Sequence, residues 1–319
     1  MEAYTVKRTA LTLSILLLTL SACTSQKFDG PAKVGGKWVD SATLNLGHDT
    51  YANYCMQCHG MNGDGNGPAA QGMVPAPRNF QQGAFKFGNV AGGELPSDED
   101  LRRIIRYGLN GTQMLPWDIS DARLDAVIHY IKTFSPEWRE KSAGETVELG
   151  EDPWGTAKAS EAIAQGKRMY HGIAQCFTCH PAYATPEEVA QISKEVTGTA
   201  VELRPDAQIS ILQGSSYFTP HEGKEAKHSF MPPDFTRHRI KSGDSLKNIA
   251  MRLAIGINGT TMPAWKGMLS LTGDEAEDNA NLWALAHYVK SLQDLRWDDK
   301  ARAEFMAELS SRRNVDMSN

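Results

Sequence analysis

Cys55-Met56-Gln57-Cys58-His59 returns 121 residues later as Cys176-Phe177-Thr178-Cys179-His180, and these pentapeptides hold four of the chain's five cysteines. Two thiols three positions apart can each form a thioether with one vinyl group of a single haem. The histidine that follows puts an imidazole beneath the iron. A disulfide and part of a zinc site are the competing uses of C-x-x-C. A thioredoxin-like motif would sit beside a βαβ pattern and would not need histidine directly after both cysteines, while two zinc sites would each need further ligands. The motifs thus predict two haem c groups, covalently attached through Cys55 and Cys58 and through Cys176 and Cys179, with His59 and His180 as axial iron ligands.

A second phrase is repeated downstream. Gly108-Leu109-Asn110-Gly111-Thr112-Gln113-Met114 with Trp117 matches Gly256-Ile257-Asn258-Gly259-Thr260-Thr261-Met262 with Trp265 at an offset of 148. The same offset carries Ser97 onto Ser245, each the expected N-cap of a helix leading into the phrase, with Leu101, Ile105 and Tyr107 answered by Ile249, Leu253 and Ile255. Met thioether is a soft ligand that stabilises ferrous iron and raises the reduction potential. Met114 and Met262 are therefore the expected distal ligands, their glycine-rich turns letting the backbone approach the porphyrin. An isolated Met would read as core filling, but repetition reverses that reading. Met231 competes with Met262 and lacks its match in the first half. His129 and His287 also pair, and read as hydrogen-bonded histidines near helix ends rather than as ligands. Trp117 and Trp265 are expected against haem or core.

The loop from Gly60 to Pro68 lacks the Lys and Ser/Thr of a phosphate loop and the terminal Glu of a calcium loop, so it reads as a tight turn over the haem edge. A carbonyl near it should accept the Nδ1–H of His59, since ligating histidines need a fixed orientation.

Pro77-Arg78-Asn79-Phe80 also matches Pro232-Pro233-Asp234-Phe235, and His129-Tyr130-Ile131-Lys132 matches His287-Tyr288-Val289-Lys290. The chain has two homologous halves. From the first motif to the Met phrase the offset rises from 121 to 148, a net 27 extra residues in the second half, mostly between His180 and Phe235, in a polar stretch expected as a surface excursion. Ser142 to Trp154 is acidic and reads as a linker. A net charge of −5 supplies no positive field, which excludes nucleic-acid binding driven by backbone electrostatics.

Lys7 and Arg8 precede an apolar run from Ala10 to Leu20, the pattern of a secretory signal and too short to span the ~30 Å hydrocarbon core. Leu20-Ser21-Ala22-Cys23 resembles the bacterial lipobox, which implies cleavage before Cys23 and lipid on its sulfur, and so explains the odd cysteine. Thr24 stands where an inner-membrane retention signal would often place Asp, which favours the outer membrane over the inner.

Together the C-x-x-C-H motifs, the Gly67-Pro68 turn, the Met phrases and the aromatic helices near the end of each half resemble class I c-type cytochromes in tandem, over about residues 45–295. The resemblance implies an all-α fold of two cytochrome c domains, the second with an inserted surface segment. The expected division is a lipoprotein signal peptide (1–22), a tether (23–44), the first domain (45–140), a linker (141–158), the second domain (159–295) and a C-terminal tail (296–319). It implies a dihaem electron carrier, not an enzyme, anchored by lipid at the periplasmic face of a bacterial membrane. Its partners would be a redox donor and acceptor, with a quinol-oxidising or oxidase complex among the candidates. A dihaem peroxidase-like enzyme with one open haem site is the alternative, and matching Met phrases in both halves weigh against it. In a third reading the chain is a structural cytochrome subunit that docks through the excursion and the tail.

Overall fold

The structure is a computed structural model, and it describes residues 27–203, 216–221, 224–229 and 232–316. The lipobox with Cys23, and Met231, lie outside the described residues. The fold is mostly helical, as expected, with two short antiparallel hairpins, β1 (Ala32–Val34) with β2 (Lys37–Val39) and β3 (Ser216–His221) with β4 (Lys224–Ser229).

In the first half, α1 (Ser41–Tyr54) starts where an Asp40 carboxylate oxygen accepts the Thr43 N–H. The one-turn helix α2 (Met56–His59) follows, then a long loop to α3 (Asp98–Tyr107), which opens with a capping box between Ser97 and Asp100. Helix α4 (Asp121–Lys132) buries Leu124, Val127, Ile128 and Ile131, one helical stripe facing the core. The short helix α5 (Glu137–Glu140) seals the unit with buried Trp138.

The second half repeats the plan. Helix α6 (Ala159–His171) takes the place of α1, α8 (Leu246–Ile255) that of α3, and α9 (Glu275–Asp294) that of α4. Ser245 caps α8 by accepting the Asn248 N–H at 3.2 Å. The paired helices α1/α4 and α6/α9 each meet at a glycine: a Cβ on Gly47 would strike the Ala126 carbonyl, and one on Gly166 the Ala284 carbonyl. Beside these contacts, Tyr51 Oη donates to Gly60 O at 2.8 Å and Tyr170 Oη to Pro181 O at 2.7 Å. Both correspondences run at an offset of 119, because two extra residues precede Cys176.

Four expectations need amendment. Part of the tether is folded: Val34, Val39 and Leu44 form a small buried cluster, and α1 already begins at Ser41. The linker is pinned to both halves rather than free. Gly144 N donates to Leu95 O at 2.9 Å and Val147 N to Asn89 O at 2.7 Å, while Gly150 O and Asp152 accept from Trp283 and His287 of α9. The excursion is not all surface, because α7 (Pro186–Thr197) buries Val189 in the second core. The charged tail, expected to be helical in part, forms α10 (Asp299–Asp316), but it does not stand apart: Arg312 bonds Glu188 of α7 at 2.9 Å, so the two expected docking features touch each other. No helix among the described residues is long and apolar enough to cross a membrane.

Candidate functional site

Each C-x-x-C-H segment is a single tight turn. His59 N donates to Cys55 O at 2.9 Å and Cys58 N to Cys55 O at 3.2 Å; the second half repeats these bonds from His180 and Cys179 to Cys176 O at 2.8 and 3.1 Å. The turn presents both thiols and the imidazole from five consecutive residues. Gly65 N and Gly67 N return to His59 O and Cys58 O, so the Gly60–Pro68 loop folds back on the motif's own backbone. A Cβ at Gly67 would strike Gln57 O, which is why glycine stands there.

The histidines are oriented identically. His59 Nδ1 donates to Arg78 O at 3.0 Å, and His180 Nδ1 to Pro233 O at 2.9 Å. A carbonyl can only accept, so Nδ1 carries the hydrogen and the Nε2 lone pair is the one available to a metal. Burial lowers both imidazoles below the ordinary histidine value, against the raising effect of these carbonyls, and so favours the neutral form that a metal binds. Phe80 stacks on His59 at 4.4 Å and Phe235 on His180 at 4.6 Å, fixing the ring planes.

The Met phrases agree bond for bond. Gly108 and Gly256 have φ of +67° and +70°, and a Cβ on either would lie 2.5 Å from the carbonyl of Met114 or Met262. Glycine therefore serves the closure of the turn on itself, where the sequence suggested an approach to the porphyrin. Leu109 N donates to Met114 O at 2.8 Å and Ile257 N to Met262 O at 3.2 Å. The Thr112 and Thr260 hydroxyls each accept the N–H of the following Met at 3.1 Å. Met114 and Cys55 pack against one core and Met262 and Cys176 against the other, so each half gathers its motif and its Met on a common apolar floor. Trp117 and Trp265 lie against the same two cores.

The donor set fits a covalently held haem. Burial, followed by the neighbouring cysteine, pushes the Cys55 and Cys176 thiols up to about 12, the opposite of the lowered value by which a redox dithiol works. Among the described residues no group of three or more His, Cys, Asp or Glu side chains comes together as a zinc site would need. His287 is hydrogen-bonded as expected, to Asp152 at 2.9 Å, but lies inside α9 rather than at its end; its repeat partner His129 does stand in the last turn of α4, with Nδ1 buried and no hydrogen-bond partner among the described residues. Gly47, Gly166, Tyr51 and Tyr170, which brace the helices carrying the motifs, escaped the sequence reading. Their signal was a repeat displaced by two residues.

The Met loops also meet the opposite half. Asn110 N donates to Lys241 O at 3.0 Å, and Asn258 Oδ1 accepts from Gly93 N at 2.8 Å. Beside them Arg252, buried, donates to Gly88 O at 2.7 Å and Asn89 Oδ1 at 2.6 Å.

Residues 42–131 match the family described as cytochrome c oxidase, cbb3-type, subunit III. A chain of the Kuenenia stuttgartiensis reducing HAO-like protein complex is similar over 77% of this chain and 95% of its own, at 31% identity and a TM-score of 0.58. No curated protein matches the chain.

Proposed function

The chain belongs to the c-type cytochromes, and from that premise we propose that it is a dihaem carrier that relays single electrons between protein partners. The repeated proximal geometry carries the reading: two C-x-x-C-H turns, each with its histidine Nδ1 bonded to a carbonyl and each sharing a core with a Met turn. Haem c supplies one-electron chemistry at its iron. Cys55 and Cys58, and Cys176 and Cys179, hold the two groups by thioethers. His59 and His180, with Met114 and Met262, are the side chains that would ligate the iron. Iron held in this way by protein side chains would leave no position for bond chemistry, so the chain acts as a carrier or as the electron-transfer subunit of a larger oxidoreductase.

The similar chain comes from a multi-protein redox complex, which supports a protein donor and acceptor here. A quinol-oxidising or oxidase assembly fits that role. Cys23, carrying lipid, tethers the mature chain to the periplasmic face of a bacterial membrane, the outer one by the residue that follows it.

The test is the haem count of the full chain expressed with haem c maturation. Two haems per chain by pyridine haemochrome, matched by the mass added, are expected, falling to one when Cys55 and Cys58 are replaced by Ser. One haem in the unaltered chain, or none, overturns the reading.

A further inference from the structure

The two proximal turns share a backbone and differ in charge. In the first half the residue whose carbonyl receives the histidine Nδ1–H is Arg78, followed by neutral Asn79; in the second it is Pro233, followed by Asp234. The phenylalanine stacked on the imidazole comes next in both. Asn79 Oδ1 accepts Gln81 N at 2.9 Å and Asp234 Oδ1 accepts Thr236 N at 2.9 Å, so one turn is built from near-isosteric side chains of different charge. Asp234 takes two further bonds on that oxygen, from Tyr183 Oη at 3.0 Å and Thr236 Oγ1 at 2.7 Å. Such convergence suits a carboxylate.

The neighbouring charges leave this asymmetry standing. Arg237 Nε lies 3.6 Å from the other Asp234 oxygen, but its side chain is 59% exposed and solvent screens it. The Arg78 guanidinium donates to Gln82 at 2.9 Å. Asp234 stands between Pro233, whose carbonyl holds His180 Nδ1 at 2.9 Å, and Phe235, which stacks on that ring at 4.6 Å.

We propose that Asp234 sets the second haem at a lower reduction potential than the first, so that an electron entering the second half comes to rest in the first. This rests on the two-haem reading above. The sign follows from charge: ferric iron carries one more positive charge than ferrous, and a carboxylate beside the proximal ligand stabilises the ferric state. Asp234 is thus a positioning residue, acting on the iron through His180 and its turn.

The test is a spectroelectrochemical titration of the haem-loaded full chain. Two one-electron steps are expected. Asp234→Asn should raise the lower step and leave the upper unmoved, and Asn79 shows that asparagine builds this turn. The converse Asn79→Asp should lower the upper step alone. If both variants carry two haems and neither step moves, or Asp234→Asn moves the upper one, the assignment is overturned while the two-haem reading stands. A single haem per chain overturns both.

Discussion

Asn258 Oδ1 accepts the backbone N–H of Gly93 at 2.8 Å, joining the Met loop of the second half to the body of the first. The bond from Asn110 N to Lys241 O at 3.0 Å joins the halves the other way. Positions 93 and 241 stand in the same offset as 110 and 258, so equivalent positions meet in both directions, through different atoms, as in an isologous interface within a single chain. The asparagine common to both Met phrases, unexplained by iron ligation, belongs to this contact.

Arg252 breaks the symmetry, since its repeat counterpart is Ile104. Burial, with Arg103 adding and Asp100 opposing, brings its guanidinium down to about 10, yet it donates across the interface to Gly88 and Asn89. Replacing Arg252 by Leu removes these charge-assisted bonds and also the desolvated cation, for an expected net loss of about 2 kcal/mol. Urea unfolding should show a lower midpoint and a split into two transitions. An unchanged single transition would refute this.

Met114→Ala and Met262→Ala should each open one iron. The unaltered ferrous chain is expected to keep its low-spin spectrum under carbon monoxide, and each variant to bind it at one haem of the two. Ready binding by the unaltered chain would favour the peroxidase-like alternative.

Gly47→Ala places a methyl group against the Ala126 carbonyl between α1 and α4, and Gly166→Ala does the same at Ala284 between α6 and α9. Each is expected to cost about 3 kcal/mol, because a backbone carbonyl inside a packed helix pair cannot step aside. Denaturant midpoints should fall in both, whereas Gly93→Ala, whose Cβ position is open, tests only the strain of a positive φ.

Burial raises the Asp98 carboxyl, but the ammoniums of Lys132, to which it is bonded, and of Lys37 at 3.2 Å outweigh it and hold it below the usual range. A carboxyl lowered in the folded state contributes stability above its unfolded value of ~3.9, and that stability is lost as pH falls through the folded value. Asp98→Asn should lower the melting temperature at pH 7 and flatten its decline below pH ~4. Parallel wild-type and variant acid limbs would exclude this pair as a source of acid sensitivity.

Reading the chain as a repeat revealed the helical plan, both motif turns and both Met turns, because each depends on residues close in sequence. Thr112 bonds Leu109 and Met114, and Ser97 bonds Asp100, all within three positions. The tether and the linker were misread because their composition is polar, while what orders them is burial of Val34 and Val39 and bonds to α9.

The amino-acid order alone determined where the two C-x-x-C-H turns and the two Met turns would form, since a pentapeptide and a seven-residue turn carry their geometry within themselves. Only the tertiary structure decided which carbonyl orients each histidine, 19 residues away at Arg78 and 53 away at Pro233, and that a carboxylate stands beside one of them. Those pairings join segments separated by loops. Which atoms meet is settled by how the loops pack, and no local pattern records it.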